Sequence, residues 1–121
     1  MFIGKLSAFC GAVSASCASA AAITYLCGGS VAQIKATIDN TLANIPGIIC
    51  DGAKASCAAK IASAVDAGLL GYEMYMNGQQ FYGGDGIVKK GVENTIHSVS
   101  RLAKEGMQQT DKAILKIMTE M

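Results

Sequence analysis

The sequence predicts an all-α protein: a compact bundle of about five helices with an Ala/Gly-rich, buried N-terminal helix. Three observations lead there. Apolar residues recur at three- and four-residue intervals in two separate stretches. Gly and Pro interrupt the chain at helix-sized spacings. Alternation of apolar and polar residues, the mark of a half-buried strand, is missing apart from two or three residues around Phe81.

The first element spans about residues 3–27, rich in Ala, Ser and Cys, and ends at Gly28-Gly29, which supply a left-handed helix stop. Ser30 caps the second helix, where Val31, Ile34, Ile38 and Leu42 mark one buried face. Pro46-Gly47 ends it, because the residue before proline resists helix. Asp51 is the expected cap of a third helix running to about Met76. Gly68 and Gly71 inside it cost helix propensity but let a neighbouring helix come close. Residues 77–86, "NGQQFYGGDG", form the clear loop. Val92, Ile96, Val99 and Ala103 then mark an amphipathic helix closed by Gly106. Thr110 is the expected cap of a short last helix with Ile114, Ile117, Met118 and Met121 on its inner face.

Length and composition narrow the functional classes. A chain of 121 residues is read as a single domain over 1–121, able to bury about two-thirds of its unfolded surface. Its formal charge is +1, with no run of Lys or Arg to neutralise phosphates, so nucleic acid is not an expected partner. Five cysteines leave an odd thiol in any fully paired framework, and they sit among small apolar residues. That layout points to a reducing compartment, and the expected location is cytoplasmic. No charge occurs between Lys5 and Lys35. The stretch is nevertheless rich in Ser, Gly and Cys, and Ala gains little from lipid, so a buried helix is the better reading than a membrane span or signal peptide.

The cysteines carry the chemical signal. "CGAVSASC" at 10–17 and "CDGAKASC" at 50–57 both read C-x4-A-S-C. Cys50 lies ahead of the third helix, where unpaired N–H groups and the helix dipole favour thiolate, and Lys54 adds positive charge nearby. Thiolate is the form that binds iron–sulfur clusters. If residues 50–57 were all helical, the two sulfurs would stand roughly 10 Å apart along the axis, too far to share one small cluster; the Asp51-Gly52 pair offers a bend by which Cys50 can stand off the helix while Cys57 sits on its second turn. Six residues between paired ligands suit structural zinc poorly. Cys17 and Cys27, mid-helix or near a helix end, read as small buried hydrophobes.

"GIICDGAKASCAAKIASAV" (47–65), "EGMQQTDKAILKIMTE" (105–120) and "ITYLCGGS" (23–30) resemble the C-terminal part of the iron–sulfur L-serine dehydratase α-domain superfamily, closest to its L-cysteine desulfidase-like branch. The resemblance covers nearly the whole chain. It implies a helical domain holding a 4Fe-4S cluster through three cysteines, here Cys10, Cys50 and Cys57. It also implies β-elimination from L-serine or L-cysteine: iron acts as Lewis acid on the hydroxyl or thiol, and the enamine hydrolyses to pyruvate and ammonia. Asp51 and Lys54 are the candidate substrate-binding residues, and no catalytic base is identified. Family members carry a long stretch before this region. The resemblance therefore implies that a second polypeptide supplies the rest of the catalytic unit, or that the chain is an incomplete remnant.

Other features weigh less. His97, the lone histidine, follows core-facing Ile96 and reads as an edge or surface residue. "GGDG" at 83–86 lacks the strand and the Gly-Lys-Ser ending of a phosphate loop and reads as a connector. Met74 and Met76 read as core filling. The rival reading is a metal-free helical domain forming homo-oligomers through its first helix; a membrane-associated helical protein is third.

Overall fold

The computed structural model describes residues 10–120. Five α-helices follow in order: α1 (Gly11–Leu26), α2 (Val31–Asn44), α3 (Cys57–Met76), α4 (Val92–Arg101) and α5 (Gln108–Thr119). A π-helical turn, Leu102–Gly106, joins α4 to α5. Helices α1, α2 and α3 pack pairwise on one another, α4 lies on α2, and α5 touches only the π-helical turn among the described elements. No strand forms among the described residues, which bears out the all-α expectation. None of the described helices is long and apolar enough to cross a membrane.

Local sequence sets the helix ends. The Gly29 amide donates to the Thr24 carbonyl at 2.8 Å and Gly28 N–H to Tyr25 O at 3.0 Å, so α1 closes in the paired pattern of a Schellman stop. The same pattern closes α3, with Gln79 N–H to Met74 O at 2.8 Å and Gly78 N–H to Tyr75 O at 2.9 Å. Ser30 opens α2 with a full capping box: Gln33 N–H donates to its hydroxyl at 3.2 Å, and Ser30 N–H donates to Gln33 Oε1 at 2.7 Å.

The packing of α1, α2 and α3 is close because the residues between them are small. A Cβ at Gly68 would stand 3.0 Å from Ala20 Cβ and 3.2 Å from the Ser16 carbonyl oxygen. One at Gly71 would stand 2.9 Å from Thr41 Oγ1 and 3.1 Å from the Thr37 carbonyl oxygen. The two glycines thus admit α1 and α2, as the sequence suggested. Buried hydroxyls in this contact turn back onto their own helices: Thr24 to Ala20 O at 2.8 Å, Thr37 to Gln33 O at 2.9 Å and Thr41 to Thr37 O at 2.7 Å. The apolar core proper is Val13, Cys17, Leu42, Val99 and Ala103, flanked by Ile38, Ile45, Ile48 and Ile96.

Several boundaries differ from expectation. The start of α1 expected near residue 3 lies outside the described residues. Helix α3 starts at Cys57, not next to Asp51, and its N-cap Ser56 makes no side-chain cap. Helix α5 starts at Gln108 rather than after Thr110 and buries nothing; Ile117 is 67% exposed, and Met121 lies outside the described residues. The loop after α3 continues to Gly91, pinned by fully buried Val88. Phe81 pairs with no strand; its N–H donates to Asn40 Oδ1 at 2.9 Å. In α2, Val31 is exposed and the buried positions are Ala36, Thr37, Asn40, Thr41 and Leu42 along with Asp39. Close approach to Gly71 selects small and polar side chains there over the aliphatic stripe.

Candidate metal centre

Helices α1 and α3 run parallel, and their contacts fix the register. The Ser16 hydroxyl donates to the Ala64 carbonyl, and Ala20 meets Gly68; both pairs are 48 residues apart in the chain. Followed back to the helix starts, that offset brings the Cys10 end of α1 level with the Cys57 end of α3. A second contact ties in the intervening segment: the Cys10 N–H donates to the Ile48 carbonyl at 3.1 Å, two residues before Cys50. Cys10, Cys50 and Cys57 therefore belong to one end of the bundle, and each is half-buried.

Each cysteine has a distinct backbone setting. Cys10 is the extended N-cap residue of α1, and its carbonyl accepts from Val13 N–H at 3.1 Å. Cys50 stands in non-helical chain ahead of α3. Gly52 turns that chain with φ +93°, a conformation side chains with a Cβ avoid, so the Asp-Gly pair is the bend. Cys57 is the first helical residue of α3. Its Sγ accepts the Lys54 N–H at 3.4 Å and lies 3.4 Å from the Gly52 carbonyl oxygen, to which the thiol donates.

Charge at this end centres on an ion pair absent from the sequence reading. Lys60 Nζ lies 2.6 Å from Asp51 Oδ1, closing the bend against the second turn of α3. The hydrogen bond to Lys60 holds the Asp51 carboxyl below the usual carboxylate range. Its hydrogen bond to Asp51 raises the Lys60 ammonium, with smaller contributions from the Asp51 charge and from the Cys57 and Cys10 thiols. Asp51 is thus committed to Lys60 rather than to capping α3, while Lys54 is exposed. A contact across nine residues of bent chain carries no periodic signature.

The other cysteines separate cleanly. Cys17 is buried in the core, and burial pushes its thiol up to about 11, which leaves it inert. Cys27 is exposed at the end of α1, and hydrogen bonding to it raises the Tyr72 phenol above its ordinary value. His97 is exposed on α4.

The donor type suits an iron–sulfur cluster: half-buried thiols at the starts of α1 (Cys10) and α3 (Cys57) and in the bend between them (Cys50), with Lys60 near the first two. Among the described residues, no three Cys, His, Asp or Glu side chains converge closely enough to hold a single metal ion. A cluster distributes its thiolates over several iron atoms, so its ligands stand farther apart than those of one ion. An open cleft of about 420 Å³ lies elsewhere, between Gly86–Lys89 and the π-helical turn; no thiol lines it, and its Arg101 pairs with Glu105 at 2.9 Å.

A family model described as serine dehydratase alpha chain matches residues 1–116. The chain belongs to the serine dehydratase alpha chain family. It is 61% identical to a UPF0597 protein of Desulfitobacterium hafniense over 116 residues, covering 96% of this chain and 27% of that protein. Similar proteins occur in Lachnoclostridium phytofermentans (60% identical, 96% of this chain, 28% of the relative) and Treponema denticola (56%, 96% and 27%). The chain thus spans about a quarter of the length of these relatives. No solved structure matches it.

Proposed function

We propose that this chain is the cluster-bearing piece of an iron–sulfur amino-acid lyase that eliminates water from L-serine or hydrogen sulfide from L-cysteine. Cys10, Cys50 and Cys57 would hold the 4Fe-4S cluster. The observation that carries the reading is the Cys10 N–H to Ile48 carbonyl hydrogen bond, which joins the start of α1 to the bend holding Cys50. Family membership supplies the chemistry.

The cluster, when bound, supplies a Lewis-acidic iron for the substrate's leaving group. The chain's own residues support the site. The Asp51–Lys60 pair fixes the bend that presents Cys50, and the Lys54 amide orients the Cys57 sulfur. Lys54 offers its ammonium to a substrate carboxylate. The α-proton and the β-substituent leave together as water or hydrogen sulfide, and the resulting enamine hydrolyses to pyruvate and ammonia. The base that takes the α-proton belongs to the part of the relatives' length that this chain does not span.

Anaerobic reconstitution with ferrous iron and sulfide, followed by an absorbance scan and an iron assay, tests the reading. A brown protein that loses its iron in each of Cys10→Ser, Cys50→Ser and Cys57→Ser, but keeps it in Cys27→Ser, is expected. A folded, colourless protein whose iron content is unchanged by Cys50→Ser would favour the metal-free oligomerising domain.

A further inference from the structure

Helix α1 carries no charged residue along its 16 positions, yet the rest of the described chain covers only one side of it. Val13, Ser16, Cys17, Ala20 and Thr24 are buried, while Ala15, Ala18, Ala22 and Leu26 face outward. Beside it, α3 presents Ile61, Val65 and Leu69, which are 56%, 40% and 41% exposed. Their four-residue spacing makes a single ridge along the helix. Between that ridge and α1 runs a cleft of about 110 Å³, lined by Ala12, Ala15, Ser19, Ile61 and Val65. Tyr25 and Leu26, 70% and 80% exposed, extend the apolar surface beyond it. Soluble monomers rarely leave a contiguous apolar face of this kind open to water. By contrast, α4 turns Glu93 and Arg101 to solvent.

What covers the face follows from length. The relatives are single polypeptides of which this chain matches 27–28%. In a protein of that length, nearly three-quarters of the polypeptide lies outside the matched piece, and a helix stripe is buried on its apolar side. We propose that the α1–α3 face is the docking surface for that remaining part of a serine dehydratase alpha polypeptide. The cleft receives an apolar side chain from it, and small residues on α1 let its backbone come close. This inference stands independently of any cluster.

Hydroxyl-radical footprinting tests it on two proteins: the 121-residue chain alone, and the same chain joined in place of the matching quarter of the D. hafniense relative. Sedimentation gives the mass of each. The expected result is a monomeric short chain in which Tyr25, Leu26 and Leu69 oxidise readily, with a several-fold loss of that reactivity in the joined protein. Val65→Glu should then lower the thermal midpoint of the joined protein more than that of the short chain. Equal oxidation in both overturns the proposal. So does a short chain that is already dimeric and protected at these residues, where Val65→Glu dissociates the dimer and leaves the joined protein unchanged; the occupant is then a second copy. If the joined protein does not fold, the same footprint on the intact relative, read at the residues aligned with Tyr25, Leu26 and Leu69, decides between these outcomes.

Discussion

Gly71→Ala is the most direct perturbation of the three-helix contact. In an open helix the change stabilises by about 1 kcal/mol through propensity alone. Here the added methyl would stand 2.9 Å from Thr41 Oγ1, 3.1 Å from the Thr37 carbonyl oxygen and 3.2 Å from Asn40 Cβ. None of the three yields easily. The Thr41 hydroxyl is bonded to Thr37 O at 2.7 Å, the carbonyl is helix backbone, and Asn40 donates from Nδ2 to the Gly71 carbonyl at 3.1 Å. Overpacking of this kind costs about 1–3 kcal/mol. Backbone contacts place the cost at the upper end, so the net expectation is a loss of about 1–2 kcal/mol after the propensity gain. Urea unfolding followed by circular dichroism measures it. Gly11→Ala, where a Cβ meets nothing within 4 Å, is the control and should be neutral or mildly stabilising. A Gly71→Ala protein more stable than the parent would show that α2 and α3 do not approach as closely as described, and the reasoning about small-residue packing would be wrong.

Three further outcomes are expected. Asn40→Ala strips the partner from Phe81 N–H and releases the Gly71 and Gln79 carbonyls, and should cost about 2–3 kcal/mol by urea unfolding. Asp39 is 7% exposed with Oδ1 unpartnered, and burial raises its carboxyl above the ordinary value, against the lowering effect of the Thr95 hydroxyl. The neutral acid is therefore favoured in the fold: parent and Asp39→Asn should be alike below the ordinary carboxylate range. The variant should become more stable than the parent as pH rises through the raised value, seen in thermal midpoints from pH 3 to 8. Lys60→Met releases Asp51 and loosens the bend, so trypsin should cut after Lys54 faster than in the parent while the far-ultraviolet spectrum is unchanged.

The stop of α1 and the start of α2 were readable because they rest on local chemistry. Gly28-Gly29 and the Ser30–Gln33 box satisfy orphaned backbone groups within a few residues. The Asp51-Gly52 bend was legible as a place where Cys50 can stand off the helix, but Cys57 opens α3 instead of sitting on its second turn. Readings failed where the deciding partner was distant. Asp51 looks like a cap in isolation, but Lys60 claims it across the bend, and α3 starts six residues later. The burial of Asp39 and Asn40, and the pinning of the long loop by Val88, had no pattern to announce them. The inner face expected of α5 is largely exposed among the described residues: Ile114 is half-buried, while Ile117 and Met118 are exposed, because only the π-helical turn packs on α5 among the described elements.

By itself, the sequence determined the helical class, the helix stops, the small-residue character of the central contact and the identity of the thiols, since each depends on neighbours within a turn or two. Only the tertiary structure decided which thiols share an end of the molecule and which side of α1 is left uncovered. Those depend on the parallel register of α1 and α3, set by Ser16 against Ala64 and Ala20 against Gly68. A contact between residues 48 positions apart is fixed by packing geometry, which no local pattern encodes.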